Sequence, residues 1–201
     1  MRYTAMIAAV TLASGFAHAQ LIQPDSAVAG SEFNNQYLVT NAINGSGLPA
    51  GFGLDSVHAT YTTFNHWTTA SGALQAGNAW ATFSFNDPQS LARFHMWNHL
   101  SNGVAADPGY AITRFNLELF DADSNLIGSL LNVSALPHVH VAQTFDFGLT
   151  HNISSVKITI LANNGSTQYT GLAEVAFDAV PAPGAVALLG LGAITGLRRR
   201  R

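Results

Sequence analysis

Apolar and polar positions alternate with period two through much of the middle of the chain. From Ala79 to Phe85, Ala81, Phe83 and Phe85 share one face and Trp80, Thr82 and Ser84 the other, and Asn86-Asp87-Pro88 then reads as a turn. From Ile112 to Phe120, Phe115, Leu117 and Leu119 alternate with Arg114, Asn116 and Glu118 before the turn-forming Asp121-Ala122-Asp123-Ser124-Asn125. That is the cleanest half-buried strand in the sequence. Further strands are expected at Leu91 to His99, Leu126 to Leu131, Val139 to Phe147, Ile153 to Leu161 and Leu172 to Phe177. No long amphipathic helix competes with them. Many strands punctuated by Gly, Pro, Asn and Asp predict an all-β fold, an antiparallel sandwich.

The pattern changes at both ends. Met1 to Ala19 has a basic start at Arg2, an apolar stretch from Ala5 to Phe16 and a small-x-small site at Ala17-His18-Ala19, so it reads as a secretory signal peptide. At the other end, Val180-Pro181-Ala182-Pro183 breaks regular structure, an uncharged run extends from Gly184 to Leu197, and Arg198, Arg199, Arg200 and Arg201 close the chain. As a helix the run reaches about 20 Å against a hydrocarbon core of about 30 Å, a short span. The arginines resist translocation and hold that end cytoplasmic. The sequence therefore divides into a leader, 1–19, one domain, 20–179, and a tail, 180–201.

This tail resembles the PEP-CTERM sorting signal of bacteria, with Ala182 in place of the usual glutamate. The resemblance implies an exported protein held briefly in the inner membrane by Val180, Pro181, Pro183 and the arginines, then processed by an exosortase-type enzyme. Its destination is the cell surface or extracellular matrix. A plain C-terminal anchor helix is the alternative.

Removing leader and tail changes the charge. Of eight basic residues only Arg93, Arg114 and Lys157 remain, against all eleven acidic ones, a net charge of −8. Such a domain has no electrostatic footprint for nucleic acid. The absence of cysteine excludes disulfides, thiol catalysis and thiolate metal sites.

Across the domain, Ala42-Ile43-Asn44-Gly45, His66-Trp67, Trp80 to Phe85, Phe94-His95-Met96-Trp97-Asn98 and the closing Tyr169 to Phe177 together resemble a discoidin or coagulation-factor type C module of the galactose-binding-like superfamily. The resemblance implies a jelly-roll sandwich, with Trp67 in the core, whose end loops bind glycans. It also implies a structural calcium ion joining an early loop to the last strand. Its ligands here are the carbonyls of Asn41 and Ala173, Asn44 and Ser46 in the loop, and the Glu174 carboxylate; oxygen-only ligation suits a hard cation. Asn44 stands where the family has aspartate.

For the glycan itself, Tyr61 and His66 lie in an aromatic, threonine-rich segment suited to stacking on sugar faces. Asn98 and His99, followed by Asn102, end one strand, and Asn163 ends another. These loops offer amide and imidazole donors, or serve as ordinary turns. Catalysis finds no support: there is no GxSxG elbow, no HExxH helix and a single lysine. The sequence predicts a noncatalytic, surface-sorted domain that binds extracellular polysaccharide. A matrix or adhesion protein without a sugar pocket is the alternative, and a glycan-active hydrolase the distant one.

Overall fold

The computed structural model describes residues 20–100 and 109–180. The leader, the tail beyond Val180 and Asn102 lie outside them. Among the described residues no helix is long and apolar enough to cross a membrane.

The strands are β1 Gln20–Ile22, β2 Ser26–Ala29, β3 Trp67–Thr68, β4 Trp80–Asn98, β5 Ile112–Phe120, β6 Leu126–Ser134, β7 Gln143–Asn163 and β8 Gly171–Ala179, with one 3-10 turn at Val39–Ile43. The hydrogen-bonded order is β1-β8-β4-β7-β5-β6, with β2 added to β4 and β3 to β8, and all these pairs are antiparallel.

The turn expected at Asn86-Asp87-Pro88, and the gap between the strands expected at 139–147 and 153–161, are bends inside strands. Residues 80–85 and 91–98 belong to the single strand β4, and 153–161 joins most of 139–147 in β7. The register explains it. Ser84 pairs with Ser155 and Gln89 with Ile153, so Phe85 to Pro88 stand opposite Ser154 alone. Extra residues on one strand bend it without ending it, and Pro88, which cannot donate to a ladder, sits within that irregular stretch.

Each long strand thereby serves two layers. The first half of β4 pairs with β2 and the second half of β7, while its second half pairs with β8 and the first half of β7. Between the layers lie Phe83, Phe94, Phe115 and Phe177, all fully buried, with Phe94 5.4 Å from Phe177 and 6.0 Å from Phe115. The alternation read from the sequence holds: Ala81, Phe83, Phe85, Phe115, Leu117 and Leu119 all point into this core.

The outer face of the second layer is covered as well. Trp97, Ala173 and Ala176 form a second cluster beneath Leu48, Phe52 and Leu54, and Trp97 Nε1 donates to the Ser56 carbonyl at 2.9 Å. The early loop is thus folded over β8. At the loop end of the sandwich, Trp67 is wholly buried and donates through Nε1 to the Ser31 carbonyl at 3.1 Å. Here β3 and β8 approach so closely that a Cβ on Gly171 would collide with the Trp67 carbonyl.

Candidate functional site

All four tyrosines between residues 20 and 180 lie outside the named strands, in loops at one end of the sandwich. They close a circuit of aromatic rings. Phe33 lies 5.7 Å from Tyr37, which stacks on Tyr61 at 5.0 Å and 11°; Tyr61 lies 4.8 Å from His99. His99 lies 5.3 Å from Tyr110, which lies 5.4 Å from Tyr169, and Tyr169 returns to Phe33 at 5.1 Å. Phe33 is exposed, the tyrosines are half-buried and His99 is buried.

The backbone fixes each member in place. Phe33 N–H donates to the Thr68 carbonyl, Thr68 N–H to the Tyr37 carbonyl, and Tyr61 N–H to the Leu100 carbonyl. The Tyr110 carbonyl accepts from both Gly171 N–H and Thr170 Oγ1. Loops tied this closely to strand ends form a pre-organised surface, which lowers the ordering cost of binding.

Under the circuit lie two more imidazoles. His66, wholly buried, is 4.8 Å from His99 and 4.9 Å from His58. Its Nδ1 bonds Asn65 Oδ1 at 2.8 Å, while Nε2 accepts the Leu100 N–H at 3.3 Å. A ring that accepts at one nitrogen is neutral. Burial holds His66 well below the ordinary histidine range, and the neighbouring His99 and His58 push the same way. Burial lowers His58 too, against hydrogen bonds to the Ala59 and Ser46 carbonyls. Tyr61 is held protonated, first by burial and then by its hydroxyl contact with Tyr37.

The residues singled out in the sequence fall into three groups. Tyr61, His66 and His99 come together here, Tyr61 on the surface and the histidines below it. Asn163 sits beside them as a loop organiser: its Nδ2 donates to the Ser166 and Tyr169 carbonyls, both at 2.9 Å, and its Oδ1 accepts Gly165 N–H. Asn98 is fully buried, and its amide is spent on backbone. Nδ2 donates to the carbonyls of Ile112 at 2.7 Å and Leu136 at 3.1 Å, and Oδ1 accepts from Ile112 N–H and His99 N–H. Phe33, Tyr37, Tyr110 and Tyr169 went unmarked in the sequence. The available signal was that every tyrosine of the domain falls between strands.

The early loop and the last strand do meet. Glu174, with no exposed surface, accepts Gln23 Nε2–H at 2.7 Å on Oε1 and Gly45 N–H at 3.0 Å on Oε2. Burial raises its carboxyl to about 8, against those two hydrogen bonds. Asn44 Oδ1 accepts Ser46 N–H at 2.7 Å, and Asn41 Nδ2 donates to the Gln36 and His66 carbonyls. Among the described residues no three His, Asp or Glu side chains gather in a metal-binding arrangement. A cation at Glu174 is therefore a matter of one carboxylate and neutral oxygens, a donor set that fits a hard cation and no thiophilic one.

Two other features do not form sites. A groove of about 370 Å³ runs along β2, lined by Ala27, Val28, Ala29, Leu38 and Thr40 among others, and its one carboxylate, Glu32, is occupied by the Val39 N–H. His95 lies between Thr144 Oγ1 at 3.0 Å and Asp178 Oδ1 at 3.1 Å, an order of groups like that of a hydrolase triad. These three occupy paired or neighbouring strand positions, His95 opposite Thr144 and Arg93 opposite both Asp146 and Asp178, and Arg93 shares the Asp178 carboxylate at 3.2 Å. The arrangement links three strands, β4, β7 and β8, on one sheet face.

No protein-family model and no curated protein matches the sequence. Solved structures match the fold. An F5/8 type C domain of a Bacteroides fragilis protein aligns at 16% identity over 81% of this chain and 98% of its own, with a TM-score of 0.55. The family 32 carbohydrate-binding module of NanJ from C. perfringens, in complex with galactose, aligns at 14% identity over 76% of this chain and 91% of its own, TM-score 0.51. The CBM32 of AlyQ, in complex with 4,5-unsaturated mannuronic acid, aligns at 14% over 79% and 97%, TM-score 0.53. At these identities the likeness shows the fold alone: the described residues between 20 and 180 form an antiparallel β-sandwich like that of these domains.

Proposed function

We propose that this chain is an exported, noncatalytic carbohydrate-binding domain. Its sugar-contacting surface is the circuit of Phe33, Tyr37, Tyr61, His99, Tyr110 and Tyr169 above His66. The observation that carries the reading is the convergence of every tyrosine of the domain on one loop end, half-buried and held by backbone hydrogen bonds. Aromatic faces stack on the C–H faces of sugars, and hydroxyl and imidazole groups at their edges meet sugar hydroxyls. The fold is one on which the NanJ and AlyQ modules hold galactose and an unsaturated mannuronic acid.

Charge favours the neutral class. A uronate calls for a cationic partner. Arg93 is paired with Asp146 and Asp178, Lys157 lies 5.2 Å over Trp80, and Arg114 stands exposed on β5. None belongs to the circuit, and His58 and His66 are neutral. A neutral polysaccharide, engaged weakly by each domain and tightly by many on one surface, is the partner this chemistry suits. Titration against a panel of neutral and acidic glycans tests it. Tyr61→Ala, Tyr110→Ala and Tyr169→Ala are each expected to weaken binding about tenfold with little loss of stability. If nothing binds, or binding survives all three together, a matrix or adhesion role takes the place of a sugar site.

The tail's proline, apolar and arginine order supports sorting to the cell surface through an exosortase. Fusing 180–201 to an exported reporter is expected to change its fate only where that enzyme is present. For calcium, the support is the buried Glu174 carboxylate with only neutral partners. Glu174 and the oxygens of Asn41, Asn44, Ser46 and Ala173 are the groups that would hold the ion, which would tie loop to strand and neutralise the carboxylate.

A further inference from the structure

The domain has no cysteine and so no disulfide to fasten its loops, yet four tyrosines meet in the aromatic circuit. Among the described residues two tyrosine pairs are in ring contact, and they differ in geometry. Tyr37 and Tyr61 stack at 5.0 Å with their planes 11° apart, whereas Tyr110 and Tyr169 meet edge to face at 5.4 Å and 73°. In the stacked pair the hydroxyls also meet, so the oxygen-bearing ends of the two rings lie together. Backbone bonds hold both in place: the Tyr37 carbonyl accepts Thr68 N–H, and Tyr61 N–H donates to the Leu100 carbonyl.

We propose that Tyr37 and Tyr61 are a site of oxidative cross-linking, joined by a carbon–carbon bond when a peroxidase acting with hydrogen peroxide reaches the loop end. Each phenol gives up one electron and its hydroxyl proton, which leaves a radical spread onto the ring carbons beside the oxygen. One such carbon of each ring then bonds to the other. Each of these carbons passes its hydrogen, as a proton, to its own ring's oxygen, and both phenols are restored. One hydrogen peroxide takes up the two electrons and two protons and leaves as two waters. The new bond forms along p orbitals that stand perpendicular to the ring planes, so facing rings are aligned for it and an edge-to-face pair is not. The hydroxyl contact survives the step, because in the product the two hydroxyls flank the new bond.

The surroundings favour the reaction. Both tyrosines are half-buried, so an oxidant meets them from solvent. No sulfur in the domain competes for it: cysteine is absent, Met1 and Met6 belong to the leader, and Met96 is wholly buried. The product has a consequence for the fold. A bond between Tyr37 and Tyr61 closes a loop of chain that contains Leu48, Phe52 and Leu54, the residues packed over Trp97. Such a closure restricts the unfolded chain and so raises stability, the part a disulfide plays elsewhere. None of this depends on what the circuit binds.

The test treats the full chain, at low concentration, with a haem peroxidase and hydrogen peroxide, then digests it and maps linked peptides by mass spectrometry. Peptides joined through Tyr37 and Tyr61, together two hydrogens lighter than their parts, are expected to exceed any Tyr110–Tyr169 product about tenfold. The blue fluorescence of linked phenols should appear with them and vanish in Tyr37→Phe and in Tyr61→Phe, which keep the rings and lose only the hydroxyl. The cross-linked chain is expected to melt higher than the untreated one, and Tyr37→Phe treated alike to gain nothing. The Tyr110–Tyr169 comparison is made within one molecule and does not depend on how a variant folds. Equal yields from the two pairs overturn the proposal. So do products formed mainly between chains, or the absence of any linked tyrosine, and an unchanged melting temperature of the linked chain removes its role as a staple.

Discussion

Replacing Asn98 with alanine is expected to destabilise the domain by at least about 3 kcal/mol, a large part of a typical stability of about 5–15 kcal/mol. The cost follows from what the carboxamide satisfies. Four backbone groups lose a partner together: Ile112 N–H and C=O, the Leu136 carbonyl and His99 N–H. Ile112 is wholly buried and His99 nearly so, and water does not replace the bonds lost there, whereas the exposed Leu136 keeps the Gln143 amide on its carbonyl. Asn98→Asp is expected to be worse, since it retains the two acceptor contacts but turns a carboxylate oxygen toward the carbonyls of Ile112 and Leu136. Denaturant unfolding measures both. An unchanged midpoint for Asn98→Ala would show that this side chain is no clamp, and would return it to the candidates for sugar contact.

Asn98 also shows what the sequence could and could not convey. An asparagine after a strand end reads equally as a turn former or a ligand donor, and only the chain's return at Ile112 and Leu136 distinguishes them. Alternation was legible because it is local: Phe115, Leu117 and Leu119 point inward as their spacing requires. The bends in β4 and β7 were not legible, because Asn86-Asp87-Pro88 makes a good turn by composition, and a partner strand is what carries pairing past it. The site divides in the same way. Tyr61, His66 and His99 stood out among neighbours rich in ring and amide groups, whereas Tyr37, Tyr110 and Tyr169 are single residues in three distant loops. Their meeting is a product of topology, which joins the 3-10 turn, the start of β5 and the β7–β8 loop at one end.

In the presence of a chelator, the stability of the domain is expected to peak near pH 6.5, between two opposed titrations. On the acid side are His58, His66 and His95, each lowered chiefly by burial, with His95 partly restored by Asp178. A histidine lowered in the folded state contributes stability above its unfolded value of 6.5 and loses it as pH falls, because the unfolded chain binds the proton first. His66 alone gives a slope of up to about 1.4 kcal/mol per pH unit, and the other two add to it. On the alkaline side is Glu174, raised from 4.5 to about 8, whose contribution is complete below 4.5 and lost as pH rises toward 8. Between 4.5 and 6.5 the histidines outweigh it; above 6.5 it acts alone and stability declines. Glu174→Gln is expected to replace that decline with a plateau, while the acid limb stays as it was. Calcium provides the converse test. The ionised carboxylate is the form that binds a cation, so an ion held at Glu174 makes the melting temperature rise with pH over the same interval where it otherwise falls. Melting curves across pH, with chelator and then with calcium, read both effects. A flat profile above pH 6.5 in wild type and Glu174→Gln alike would remove the strained carboxylate from the account, and a profile unmoved by calcium would remove the ion.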